Sequence, residues 1–264
     1  QPNIGGVGVN RADGFDRDAL GLRPVRAEVW MNTVFANIDG KAPPLEEHVA
    51  PLLGHFAAYD FSTLRHGGGY EMEVPANWKL CVEGGIEDYH LPWIHSHIFN
   101  GKPNWWGRAV IDGAMIGTES CIPQPEDANL INHRGAQLPL FPNLPAEARD
   151  MGNFMCLFPN LGVSVLNDHI ALTQFQPLAA DRTFYRKDCY FVGDEAAAGA
   201  EHADARAAVL EGWKTINAQD GPLVAVLQKN HAVRDEAGIA NRFTPSWEGA
   251  VQRFQQMVVE TIAA

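Results

Sequence analysis

Two histidines five residues apart, with a proline between them and a helical pattern before them, constrain this chain more than any other feature. From Asn77 it reads Asn-Trp-Lys-Leu-Cys-Val-Glu-Gly-Gly-Ile-Glu-Asp-Tyr-His-Leu-Pro-Trp-Ile-His-Ser-His, ending at His97. Trp78, Val82 and Ile86 recur at i, i+4 and i+8 and so share one apolar helical face. On an unbroken helix His90 and His95 would lie about 140° apart, at about 100° per residue. That is too wide for two ligands of one ion. Pro92 falls between them, and proline removes a helical hydrogen bond and clashes with the preceding turn. A break at Pro92 is expected to swing His95 back toward His90.

Two neutral imidazoles and one carboxylate make the facial triad of non-haem Fe(II) oxygenases, which leaves coordination positions open for O2. The carboxylate must then come from another element. Glu87, three residues before His90 and on the same helical face, suits a different task, fixing the imidazole tautomer from behind. The bland alternative is two partly buried histidines making ordinary hydrogen bonds, with Glu87 a solvated helix acid.

The rest of the chain narrows the class. Its 264 residues permit one large domain or two small ones, and are ample to bury a sizeable core. A formal net charge of −12 and a pI of about 5.2 argue against nucleic-acid or anionic-membrane partners. No run of 18 apolar residues is present. Cys81, Cys121, Cys156 and Cys189 are widely spaced without a Cys-x-x-Cys, which reads as four small buried hydrophobes in a reduced, cytoplasmic setting.

Alternation from Val25 to Ile38 predicts a strand or hairpin, Leu45 to Leu53 a short helix, Gly67-Gly68-Gly69 a turn, and Tyr70 to Val74 a strand. Residues 96–150 show little periodicity apart from a strand near Ala114 to Cys121. Strands are expected at Phe154 to Leu157, Val163 to Phe175 and Thr183 to Val192, with a turn at Pro159-Asn160. Helices are expected over Glu195 to Asn217, Pro222 to Gln228 and Pro245 to Ile262. Strands in the middle with helices on either side indicate an α+β domain built on an antiparallel sheet.

The segment opened by Asn77-Trp78-Lys79, with its acid-x-x-His-x4-His spacing at Glu87, His90 and His95, resembles the mononuclear-iron segment of Rieske non-haem iron oxygenase (aromatic-ring-hydroxylating dioxygenase) alpha subunits. Phe158-Pro159-Asn160 and the strand after Pro24 are similar as well. The resemblance implies a helix-grip (Bet v 1/START-like) fold of antiparallel sheet with packed helices, and Fe(2+) held by His90, His95 and Asp220, the last in Ala218-Gln219-Asp220-Gly221 with Gln228 eight residues on. It implies that Glu87 is the catalytic acid linking an iron ligand to a cluster histidine on the neighbouring subunit. Asp88 competes with Asp220 as third ligand but sits beside the motif. The family often carries Asn where Gly84 stands, and an acid where Gln219 stands. Gly84 and Trp93 are candidate substrate-pocket residues, while Trp93, Trp105 and Trp106 are candidates for cation–π contact with a quaternary ammonium group. His97 and His169 read as structural.

By that resemblance the chain hydroxylates, dihydroxylates or demethylates a small aromatic or betaine-like substrate with O2, using a ferredoxin or reductase as electron donor within a homotrimer. The family's [2Fe–2S] centre needs paired Cys-x-His and Cys-x-x-His motifs, and neither pair occurs here. Residues 1–23 are therefore expected to be a linker remnant after a missing Rieske domain, and 24–264 the mononuclear iron domain, catalytically silent alone. A zinc-dependent hydrolase and a non-catalytic helix-grip ligand-binding domain stand as alternatives.

Overall fold

The computed structural model describes residues 20–96, 105–122, 131, 138–244 and 246–263. The chain divides into two compact units, 1–47 and 48–264. In the first, β1 (Arg26–Trp30) and β2 (Thr33–Asn37) form an antiparallel hairpin. Met31 and Asn32 at its tip both have positive φ, 46° and 58°, the geometry that matches the twist of two paired strands. Helix α1 (Leu45–His55) follows.

The second unit is an α+β helix-grip fold. Seven antiparallel strands are ordered β3-β9-β8-β7-β6-β5-β4: β3 Leu64–Val74, β4 Trp106–Asp112, β5 Met115–Cys121, β6 Met151–Leu157, β7 Leu161–Val165, β8 His169–Ala179 and β9 Arg182–Val192. The helices are α2 (Trp78–Gly84), α3 (Leu91–Ile94), α4 (Gly193–Ala198), α5 (Ala203–Glu236) and α6 (Gly249–Ala263). Long α5 packs on β3 and α2, and α6 on β4 and β5. Among the described residues no helix is long and apolar enough to cross a membrane.

Gly67-Gly68-Gly69 is not a turn: it lies inside β3, with a register shift against β9 between His66 and Gly68. A Cβ on Gly67 would collide with the Phe191 ring, and one on Gly69 with the Lys187 carbonyl and the Asp188 carboxylate. The glycines let a bulged strand approach its neighbour closely.

The two helices expected over 195–217 and 222–228 also differ from what is found. Gly199 ends α4, and α5 then runs unbroken through Gly221 and Pro222. Pro222 has no N–H for the Ala218 carbonyl one turn back. Burial of Val209, Trp213 and Val224 along the same helix outweighs that lost bond. Strand β4 emerges from a region that carried no periodic signal, and the last helix begins at Gly249; Pro245 and His97 lie outside the described residues.

Candidate metal centre

Asn77 starts the motif helix by capping it: its side chain accepts from Lys79 N at 3.1 Å. Its own N–H donates to Gln228 Oε1 at 2.8 Å, which ties α2 to α5. Leu80, Cys81 and Val82 are buried on the inner face. Here the structure corrects the expected break. The helix ends at Gly84, and Gly85 N bonds back to Val82 O. Residues 85–90 form bends and turns, and Pro92 sits in the first turn of α3, where its missing N–H is not needed. Proline therefore begins a helical turn instead of breaking one, and His90 and His95 flank that turn.

Their rings lie 5.2 Å apart between centroids, inclined at 77°. Asp220, in the middle of α5, places Oδ1 3.0 Å from His95 Nε2 and 3.6 Å from His90 Nε2. Among the described residues His90, His95 and Asp220 form the one group of three His, Cys, Asp or Glu side chains able to share an ion. Both histidines are buried, His95 at 1% exposure. Asp220 Oδ1 is buried without a hydrogen-bond partner. A bare carboxylate oxygen facing two imidazole nitrogens costs free energy unless a cation joins them. The N2O donor set therefore fits a divalent metal.

The far side of each ring is held. His90 Nδ1 donates to Glu87 Oε1 at 2.5 Å, and the other Glu87 oxygen accepts from the backbone N–H groups of Tyr89 and His90. His95 Nδ1 donates to Gln219 Oε1 at 2.8 Å. Each contact sets the proton on Nδ1 and turns Nε2 toward Asp220. Burial opposes charge on His90, but the hydrogen bond and charge of Glu87, with Asp220 and Asp88, outweigh it and raise its pKa above the ordinary value. Gln219 stands where the family often carries an acid, and its place one residue before Asp220 is the sequence signal for this role.

Asp88 does not reach the metal group. It is 2% exposed, accepts from Ser120 Oγ at 2.8 Å, and lies against Gly107. Burial pushes its pKa up despite hydrogen bonds from Thr118 and Ser120. Trp93 is corrected as a pocket residue: it is 75% exposed and does not line the cavity beside the cluster. Trp106 is also exposed, with Arg108 over its ring, while Trp105 stacks with Trp247 at 5.2 Å. His169 is fully buried, Nδ1 donating to Asp168 at 2.6 Å and Nε2 accepting from Trp213 Nε1 at 2.9 Å.

The cavity itself has a volume of about 120 Å³ and opens beside His90, His95 and Asp220, with Gly84, Val82, Phe175 and Val224 in its wall. A Cβ on Gly84 would meet nothing nearer than Val224 at 3.8 Å.

Comparison with known proteins bears on this geometry. The glycine betaine monooxygenase oxygenase subunit of Pseudomonas aeruginosa (strain UCBPP-PA14) is 20% identical over 276 residues, an alignment covering 94% of this chain and 63% of that protein. The carnitine monooxygenase oxygenase subunit of Escherichia coli (strain K12) is 32% identical over 83 residues, 31% of this chain and 22% of that protein. Among solved structures, a quaternary ammonium Rieske monooxygenase superposes with a TM-score of 0.69 at 19% identity, covering 94% of this chain and 65% of that one. Naphthalene 1,2-dioxygenase from Rhodococcus sp. superposes with a TM-score of 0.64 at 16% identity, over 94% and 68%; these structural likenesses establish the fold. The chain thus spans 63% of the length of its full-span curated relative. The family described as ring hydroxylating alpha subunit (catalytic domain) matches residues 61–264, the whole sheet and every residue of the His90–His95–Asp220 cluster, and to that family the chain belongs.

Proposed function

We propose that this domain carries out O2-dependent hydroxylation, dihydroxylation or demethylation of a small aromatic or betaine-like substrate, with a mononuclear ferrous ion held by His90, His95 and Asp220. One observation supports this above the rest: Asp220 Oδ1, buried without a hydrogen-bond partner, faces Nε2 of both histidines. Two neutral nitrogens and one anionic oxygen suit ferrous iron and leave positions open. When bound, the ion supplies redox activation of O2.

The chain's own residues prepare that site. Glu87 keeps the proton on Nδ1 of His90, and Gln219 does the same for His95, so both Nε2 lone pairs converge on one point. Val82, Ile86, Phe175 and Val224 make a wall that excludes water. Gly84 contributes no side chain there and leaves room for substrate. Membership of an oxygenase family favours this reading over a hydrolase or a carrier.

The cysteines do not fit a [2Fe–2S] centre: Cys81, Cys156 and Cys189 are buried in the core and Cys121 lies on β5. Burial pushes the Cys189 thiol up to about 12, far from the thiolate that a cluster needs. We assign the electron supply to a ferredoxin or reductase through a [2Fe–2S] centre not built from these residues, with Glu87 as the link to it, in a cytoplasmic homotrimer.

The chain loaded anaerobically with ferrous iron, then given O2 together with a soluble chemical reductant that supplies the second electron, is expected to place 18O from O2 in the product, while NADH alone drives none. Product formed by hydrolysis without O2 contradicts the reading.

A further inference from the structure

Lys187 is 3% exposed, in the middle of β9, and lines the cavity beside the metal cluster. Strand alternation puts it on the sheet face shared with Tyr185 and Cys189, both buried. Thr173 pairs with it directly across from β8 and lines the same cavity, so a hydroxyl side chain shares its face of the sheet. Lysine is almost never this buried without a partner, because stripping water from an isolated ammonium is costly.

The neighbouring carboxylate on the strand, Asp188, is engaged by His66 and Arg186. What the ammonium does have is the face of Trp213, 3.9 Å from Nζ to the ring centroid. That ring is held rigid by its N–H donated to His169, which in turn is fixed by Asp168. A cation–π contact with one indole softens the desolvation cost without supplying a counter-charge. Asp220 is the carboxylate whose charge reaches Lys187, and it is committed to the two histidines. The remaining wall is mostly apolar, with Val74, Val82, Ile86, Phe175 and Val224.

We propose that Lys187 anchors the substrate's anionic group, so that the cavity selects a small monocarboxylate and turns its apolar body toward the His90–His95–Asp220 cluster. The inference rests on the reading of this cavity as the substrate chamber. One fixed cation in a mostly apolar cavity recognises one anion strongly, because both charges interact at reduced dielectric. Burial lowers the Lys187 pKa to about 8, which leaves the side chain mostly charged at neutral pH and therefore able to hold a carboxylate. Thr173 adds a hydroxyl that can donate to the second carboxylate oxygen.

The test is equilibrium binding, read by calorimetry on the metal-free chain, of benzoate and pivalate against benzamide and pivalamide. Each carboxylate is expected to bind at least ten-fold more tightly than its own amide. That preference should vanish in Lys187→Met, which keeps length and apolar volume, and persist in Lys187→Arg. No preference for acid over amide in the unaltered chain overturns the proposal, and so does a preference that survives Lys187→Met. The acid–amide comparison needs no variant, so it stands even if Lys187→Met does not fold. Ferrous-iron binding, measured separately, reports on the proposed function: iron bound with no acid preference sinks the anchor alone, whereas acid preference without iron binding sinks the oxygenase reading alone.

Discussion

Gln219 Oε1 lies 2.8 Å from Nδ1 of His95, and the next residue, Asp220, presents its carboxylate 3.0 Å from the other nitrogen of the same ring. One turn of α5 thus grips a single imidazole from both sides. The first contact sets which nitrogen carries the proton, and the second shares whatever ion the ring binds.

Gln219→Ala removes the tautomer lock without touching a ligand. Loss of such an outer partner typically weakens metal binding ten- to a hundred-fold. Competition with a chelator should show that loss for Gln219→Ala, while Gln219→Glu, which still accepts from Nδ1–H, keeps the affinity close to that of the unaltered chain. Equal affinity in all three would show that the contact has no influence on the metal.

Glu83 provides a pH signature away from the cluster. Burial, only partly offset by Gln255 Nε2 donating to it at 3.0 Å, raises its pKa from 4.5 to about 7. The folded state therefore favours the protonated acid. Its contribution is favourable at low pH and is lost as pH rises from about 4.5 through about 7, after which ionised Glu83 is a standing cost. Glu83→Gln should gain roughly 1–3 kcal/mol above pH 7 and flatten the stability profile between those values. Denaturant unfolding at pH 5 and pH 8 measures both, and a variant with no gain at pH 8 would refute the assignment.

Trp213 stabilises a buried network. Trp213→Phe keeps the ring but strips the N–H from His169 Nε2, leaving a fully buried acceptor unpaired. The expected cost is about 1–3 kcal/mol, measured by urea unfolding, with little change in ferrous-iron affinity because His169 is not a ligand. A parallel loss of iron would couple this network to the cluster in a way the geometry does not show.

How much of this was legible in the sequence depends on the residue. His90 and His95 could be read because their spacing is awkward for a helix, and Asp220 through the resemblance of its surroundings. The location of the break could not. Pro92 looks like the breaker, yet α2 has already ended at Gly84-Gly85, and a proline in the first turn of the next helix is harmless. Gly67-Gly68-Gly69 looks like a turn for want of side chains, and only the nearness of Phe191 and Asp188 explains three glycines inside a strand. Asp88 and Asp220 offer the same chemistry in a sequence; what separates them is that Ser120 and Gly107 receive the first in the core. Lys187 gave no local sign, since one polar residue in an alternating strand reads as solvent-facing until the partner sheet face is known.

The central claim is that His90, His95 and Asp220 hold one ion together. Anaerobic loading with ferrous iron, followed by metal analysis of the unaltered chain and of His90→Ala, His95→Ala and Asp220→Ala, tests it most directly, with circular dichroism to show that each variant stays folded. The account predicts one iron per unaltered chain and near-complete loss in each folded variant; full iron content in any of the three would contradict it.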